Sequence, residues 1–263
     1  MYVRIAADKA RPHNSLADLG MKSESNPIVS LGEFTYQKGK EIYGEKEPAD
    51  YVYLVMQGAV RRHKLLSDGR RQIGGFHIEG DMFGLENGET HRFTAEAIVQ
   101  TTVRLIRRES LEHVAQNDAV VFRDLLNLTT STLAHAENHL LLLGRKTALE
   151  RVAAFLLEMD ERTAAVGVLS LPMTRRDIAD YLGLTLETVS RAVSEFRREG
   201  MLAFAGRTHR EITVLDRQRL AQFRFGNDAA LWSKPVKEPD TSHQDFIGRI
   251  SCRDGADVCG GGQ

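Results

Sequence analysis

Apolar positions along the chain change their period more than once. Up to about Pro27 they are sparse and unpatterned, and residues 1–27 read as a loose arm. From Leu31 to Ile106 they come in short runs punctuated by glycine, which predicts many short strands. Tyr51-Val-Tyr-Leu-Val-Met-Gln-Gly-Ala-Val60 is the clearest strand pair, bent at Gly58. Ser67-Asp-Gly-Arg70 is a hairpin turn signal, and Gly80-Asp-Met-Phe-Gly84 is a second turn flanked by glycine. Ala95–Val99 and Val103–Ile106 read as further strands. Strands this short and this closely spaced predict a double-stranded β-roll or barrel over 28–110.

From Leu111 the period is helical. Phe122, Leu126, Thr129, Leu133, Ala136, Leu140 and Leu143 step by four and three in alternation, which is the a/d seam of a coiled coil. A helix packed only on its own β domain would need one apolar line. Here a second line, Val121, Leu125 and Leu128, remains to contact the roll. Residues 111–144 are therefore expected to form one long dimerisation helix.

Gly144-Arg-Lys breaks that helix, and a new one is predicted from Thr147 to Met159 with Val152, Phe155 and Leu156 inward. Arg162–Val168 reads as a loop or a poor hairpin. Two short helices follow. Thr174 is an N-cap for the first, which faces Ile178 and Leu182 inward and keeps small Ala179 where the second approaches. Gly183 can take the left-handed conformation that ends a helix, and Thr185 caps the next. In that second helix Val189, Ala192, Val193 and Phe196 make one buried stripe. Leu202–Leu215 holds two β-like runs around a turn at Gly206-Arg207, a hairpin or wing. Asp216 can cap a last helix with Leu220 and Phe223 inward. Residues 145–225 thus read as a winged helix-turn-helix. Residues 226–263 are polar, carry Pro235, Pro239 and a Gly-Gly-Gly run, have no period, and read as a disordered tail. The fold class is α+β.

The face opposite the buried stripe carries the chemistry. Glu187, Ser190 and Arg191, at i, i+3 and i+4, project together from the first turns of the second helix. A recognition helix presents its readers to the major groove from there. Arg191 can donate to O6 and N7 of guanine, Glu187 can accept from the cytosine amino group, and Ser190 is small enough for a thymine methyl. A solvated i, i+4 Glu–Arg pair is the bland alternative. The turn, the buried stripe and the hairpin that follows favour DNA. Thr174, Arg175, Thr185 and Thr188 at the helix starts, and Arg207, His209 and Arg210 at the wing tip, are placed to touch phosphate. From Arg175 to Arg224, 10 Lys and Arg stand against 7 Asp and Glu, in a chain of net charge −1. One basic module in a near-neutral protein suits site-specific binding.

Composition narrows the class. The chain has 263 residues, 42% hydrophobic and 27% charged, enough for two domains of a globular protein. No apolar run approaches the ~20 residues that cross a bilayer. Leu140-Leu-Leu-Leu-Gly144 is far shorter. The first residues carry Asp8 and lack an apolar core, so no signal peptide is expected. The 2 cysteines, Cys252 and Cys259, both lie near the end of the sequence, so no disulfide framework is expected and a cytoplasmic setting is.

A β-roll, a long dimer helix and a winged helix-turn-helix resemble the cyclic-AMP-receptor/fumarate–nitrate-reduction (CRP/FNR) family of bacterial transcription regulators, over about Glu33 to Phe225. Gly144-Arg-Lys-Thr-Ala-Leu-Glu-Arg-Val-Ala-Ala-Phe-Leu157 and Asp177-Ile-Ala-Asp-Tyr-Leu-Gly-Leu-Thr-Leu-Glu-Thr-Val-Ser-Arg191 are similar to its FixK-type branch. The resemblance implies a homodimer on a double-stranded DNA palindrome of the form TTGAT-N4-ATCAA, with Glu187, Ser190 and Arg191 as base readers. It also implies recruitment of RNA polymerase and control of microaerobic, denitrification or nitrogen-fixation genes. It further implies control through the protein's own expression by an upstream oxygen-sensing two-component system.

Departures from other members bear on cofactors. No cysteine precedes Cys252, so the N-terminal iron–sulfur cluster of the oxygen sensors cannot form. Cyclic-AMP binders carry Gly-Glu-Leu after the roll turn and an Arg-Ser pair. Here Leu85 follows Gly84, Phe93-Thr94 aligns with the pair, and Arg92, one position early, is expected to point outward. Where the haem-containing carbon monoxide sensor places Cys and His, Gly84 and Glu86 stand, and His77 reads as a roll or surface histidine. No cofactor or metal is expected. Two other readings compete: a regulator gated by an unrecognised small molecule in the roll, and a redox or metal protein working through Cys252 and Cys259. Their Cys-x6-Cys spacing is not a zinc or thioredoxin signature. The sequence shows no nucleophile–base constellation, P-loop or HExxH motif, so no enzyme is expected.

Overall fold

The computed structural model describes residues 30–163, 169–205 and 211–225. Strands β1 (Ser30–Tyr36), β2 (Glu41–Tyr43), β3 (Tyr51–Gln57), β4 (Ala59–Leu65), β5 (Arg71–Ile78), β6 (Met82–Phe83), β7 (Thr94–Ala97) and β8 (Thr101–Arg107) build a roll. Its antiparallel sheets have the orders β1-β8-β3-β6 and β2-β7-β4-β5. The chain crosses between them at Gly58, where φ is 96° and an added Cβ would lie 2.6 Å from the Gln100 carbonyl oxygen. Only glycine fits there. The Thr101 hydroxyl holds the crossing, accepting from Ala59 N–H at 3.1 Å and donating to its carbonyl at 3.0 Å. Tyr43, Tyr53, Val55, Val60, Phe83, Ala95 and Val103 fill the interior.

The helical region differs from the single helix expected over 111–144. Helix α1 (Arg108–Asn117) starts at once after β8, stops, and α2 (Ala119–Arg145) begins afresh. Asp118 is the cause. Its backbone is extended, and its carboxylate accepts from the N–H groups of Val120 and Val121 at 2.8 and 3.3 Å. A side chain that satisfies the first free donors of a helix starts one rather than continues one. The two apolar lines of α2 then separate as their spacing requires. Val121 and Leu128 are buried, with Leu125 beside them, against Val52, Met82, Ile106, Leu111 and Val114. Phe122, Leu126, Thr129, Leu133, Ala136 and Leu140 are exposed, and Leu143 is half-buried.

Helices α3 (Ala148–Thr163), α4 (Arg175–Leu182), α5 (Leu186–Arg198) and α6 (Arg217–Phe225) pack around Phe155, Leu156, Ile178, Leu182, Val193 and Phe196. A three-stranded sheet, β10 (Leu202–Ala205), β11 (Glu211–Val214) and β9 (Leu169–Ser170), covers this core. The wing is thus broader than the expected hairpin, because β9 pairs with Glu211 and Ile212. Arg162 and Thr163, expected to begin a loop, are instead the last residues of α3, Arg162 held by the ion pair described below and Thr163 donating to the Met159 carbonyl at 2.9 Å. The arm, the tail with both cysteines, and the wing tip with Arg207, His209 and Arg210 lie outside the described residues.

Candidate nucleic-acid interface

Capping decides the geometry of the two short helices. Thr174 accepts from Asp177 N–H at 3.2 Å, and the Asp177 carboxylate accepts in return from Thr174 N–H at 2.9 Å, a closed capping box. Gly183 ends α4 in the left-handed conformation at φ 62°. Two residues later Thr185 caps α5 by accepting from Thr188 N–H at 3.2 Å, and the two hydroxyls lie 3.0 Å apart. Thr174, Thr185 and Thr188 therefore already shape the helix starts in the free protein. Any phosphate contact they make is shared with a cap.

Val189, Ala192, Val193 and Phe196 bury the inner stripe of α5. Glu187, Ser190 and Arg191 lie together on its outer side, with Glu187 and Arg191 exposed and Ser190 half-buried. Ser190, Arg191, Ser194, Glu195 and Arg198 line one shallow depression. No ion pair joins Glu187 to Arg191 in the free protein. The Glu187 carboxyl is nonetheless held below its usual range, by its own backbone N–H, then the Thr185 hydroxyl, with the charges of Arg176 and Arg191 adding.

How this unit is held against the roll is visible only in the structure. Arg61 of β4 donates to Asp177 at 2.8 Å and to Glu96 at 2.6 Å. Arg71 of β5 reaches both Asp177 and Asp180 at 2.7 Å. Burial pushes the Asp177 carboxyl up, but Thr174 and the two guanidinium groups outweigh it and hold it below 3.8. On the other side Arg162 of α3 pairs with buried Asp81. From α2, His135 Nε2 meets the Tyr181 hydroxyl at 3.0 Å, and His139 stacks on the Tyr181 ring at 4.3 Å. These contacts join residues 35 to 116 positions apart, so no local pattern announces them.

In the roll, His77 is buried and stacks on Phe83. Phe93 packs over Gly74, and Thr94 accepts from Glu45 N–H at 3.0 Å. Arg92 is exposed, as its position implied, yet its Nε reaches back at 2.8 Å to Glu86, whose side chain is 1% exposed. Glu86 stands out in the sequence only where a haem ligand would be, and its burial comes from the fold. Among the described residues no group of His, Cys, Asp or Glu could hold a metal ion, and no helix is long and apolar enough to cross a membrane.

The family model of the Crp-like helix-turn-helix domain matches residues 150–223, and that of the cyclic nucleotide-binding domain matches residues 33–118. The nitrogen fixation regulation protein FixK of Rhizobium meliloti (strain 1021) is 42% identical over 216 residues, 82% of this chain and 97% of that protein. The chain belongs to the CRP/FNR family, in its FixK-type branch. A FixK of Azorhizobium caulinodans is 40% identical over 222 residues, 82% of this chain and 84% of that one. The solved structure of FixK2 from Bradyrhizobium japonicum superposes with a TM-score of 0.71 at 60% identity, covering 74% of this chain and 97% of that one. This CRP/FNR protein is a DNA-binding transcription regulator, and its DNA-binding part is the winged helix-turn-helix.

Proposed function

We propose that the protein is a homodimeric activator that reads a TTGAT-N4-ATCAA-type palindrome and recruits RNA polymerase to microaerobic, denitrification or nitrogen-fixation genes. The observation that carries this reading is the outward-facing group on the first turns of α5, exposed Glu187 and Arg191 with half-buried Ser190 between them. Arg191 reads guanine, Glu187 accepts from the cytosine of the same or the adjacent pair, and Ser190 admits a thymine methyl. Arg175 and the wing tip hold the backbone. The exposed seam on α2 supplies the second copy, which sets two reading helices about one helical turn, ~34 Å, apart. FixK is the name carried by the relatives of highest similarity reported above, and it supports the nitrogen-fixation assignment.

The roll acts in this reading as a scaffold without a cofactor. Its interior is occupied by its own rings: Tyr43 stacks on His91 at 3.6 Å and lies 5.2 Å from Tyr53, which stacks on Phe83. The Glu86 carboxylate is engaged by Arg92. Regulation then acts on the amount of protein.

Arg191→Ala tests the assignment. Loss of a bidentate guanine contact is expected to cost ~1–3 kcal/mol per half-site and to leave weak, salt-sensitive binding. A gel-shift series in which the variant keeps the wild-type preference for the TTGA-type palindrome would remove Arg191 from the readers.

A further inference from the structure

Arg175 and Arg197 come from opposite ends of the helix-turn-helix, yet their guanidinium groups share one aromatic ring. Arg175 Cζ lies over Phe204 at 5.8 Å from the ring centroid, and Arg197 Cζ at 5.4 Å. Phe204 is half-buried in β10, so one part of it is anchored in the wing sheet. Three other arginines of this unit have carboxylate partners: Arg198 and Arg219 on Glu199, and Arg217 on Asp160 and Glu161. Among the described residues neither Arg175 nor Arg197 pairs with a carboxylate. Arg197 stands seven residues, two helical turns, beyond Ser190, so it shares a helix stripe with a base-reading position.

We propose that Phe204 is a positioning residue for DNA binding, holding Arg175 and Arg197 as a paired anchor for the phosphate backbone beside the base readers. The ring attracts both cations through its quadrupole and narrows their rotamers without neutralising them. A carboxylate in the same place would fix them equally well but cancel the charge that phosphate needs. Two mutually repelling guanidinium groups gathered on one neutral surface make a doubly cationic spot whose natural partner is an anion spread over adjacent phosphates. The pair carries no base information, so it sets affinity and register rather than sequence choice. The inference rests on the DNA-binding reading of this same unit.

The test compares full-length wild type with Phe204→Leu, Phe204→Trp and Arg175→Gln/Arg197→Gln on a palindromic duplex and a scrambled one, over a salt series. Phe204→Leu keeps an apolar anchor but has no ring. It is expected to weaken both duplexes by the same factor, about two- to fivefold per protomer. The slope of log affinity against log salt is expected to fall by about 1–2 per protomer in Phe204→Leu and in the double arginine variant. Phe204→Trp restores both. Unchanged slopes in the double arginine variant, or equal behaviour of the Leu and Trp variants, overturn the proposal. If Phe204→Leu fails to fold, the double arginine variant and Phe204→Trp still decide. Failure of the wild type to prefer the palindrome would instead remove the DNA reading itself.

Discussion

Arg71 of β5 holds Asp180 of α4 with two donors on one carboxylate oxygen, Nε at 2.9 Å and Nη2 at 2.7 Å. The same Nη2 also donates to Asp177 Oδ1 at 2.7 Å. One arginine of the roll therefore fixes one face of the first helix of the DNA-binding unit.

Arg71→Met is expected to loosen that face. Both partners are about a fifth exposed, so the loss is that of a partly screened charged contact, ~1–3 kcal/mol. Hydrogen exchange is expected to quicken in α4 before it quickens in the strands. If exchange in α4 is unaltered, the contact is incidental.

Asp177→Asn removes the charge on which Arg61 and Arg71 converge and weakens the capping box. Its side chain is 1% exposed, so little water screens it. The expected destabilisation is ~2–4 kcal/mol, larger than for Arg71→Met, measured by denaturant unfolding.

Acid is expected to destabilise the protein through His135. Burial, with the positive charge of Arg162 adding to it, lowers its pKa below the usual 6.5. A histidine depressed on folding binds its proton better when unfolded, so its contribution is intact above pH 6.5 and shrinks as pH falls below it. Stability is expected to fall between pH 7 and pH 5 through this group. His135→Gln is expected to flatten that part of the stability profile; an equally steep profile in the variant would assign the acid sensitivity elsewhere.

Leu133→Asp is expected to give a folded monomer with much weaker operator binding. Leu133 is 59% exposed in the single chain, so its replacement disturbs little within the protomer, within ~0.5 kcal/mol. Analytical ultracentrifugation separates the outcomes: a variant that remains dimeric places the dimer contact away from the α2 seam.

What could be read from the sequence was what repeats locally. Asp118 shows the limit. The seam residues from Phe122 onward were legible by spacing, while the break before them was not, because Asp is compatible with a helix until its carboxylate finds the Val120 and Val121 donors. The helix-turn-helix was fully legible because Thr174, Gly183 and Thr185 each act on their own neighbours. Arg61, Arg71 and Arg162 looked like ordinary polar positions on strand and helix. Their partners Asp177, Asp180 and Asp81 were visible only as charge, since pairing across so much chain depends on how the roll and the helices meet. β9 was missed for a related reason: two residues give no period of their own and are a strand only because β11 is beside them.

Arg151 donates to the Lys146 carbonyl at 2.9 Å, to Leu143 at 2.8 Å and to Leu182 at 3.1 Å. It therefore bolts the last turn of α2 to the last turn of α4. In the proposed dimer, where two copies share α2, the tilt of each reading head about that bolt would set the distance between heads. On that reading the spacer length the pair tolerates would depend on the reach of Arg151, far from any base, as well as on the proposed readers Glu187, Ser190 and Arg191.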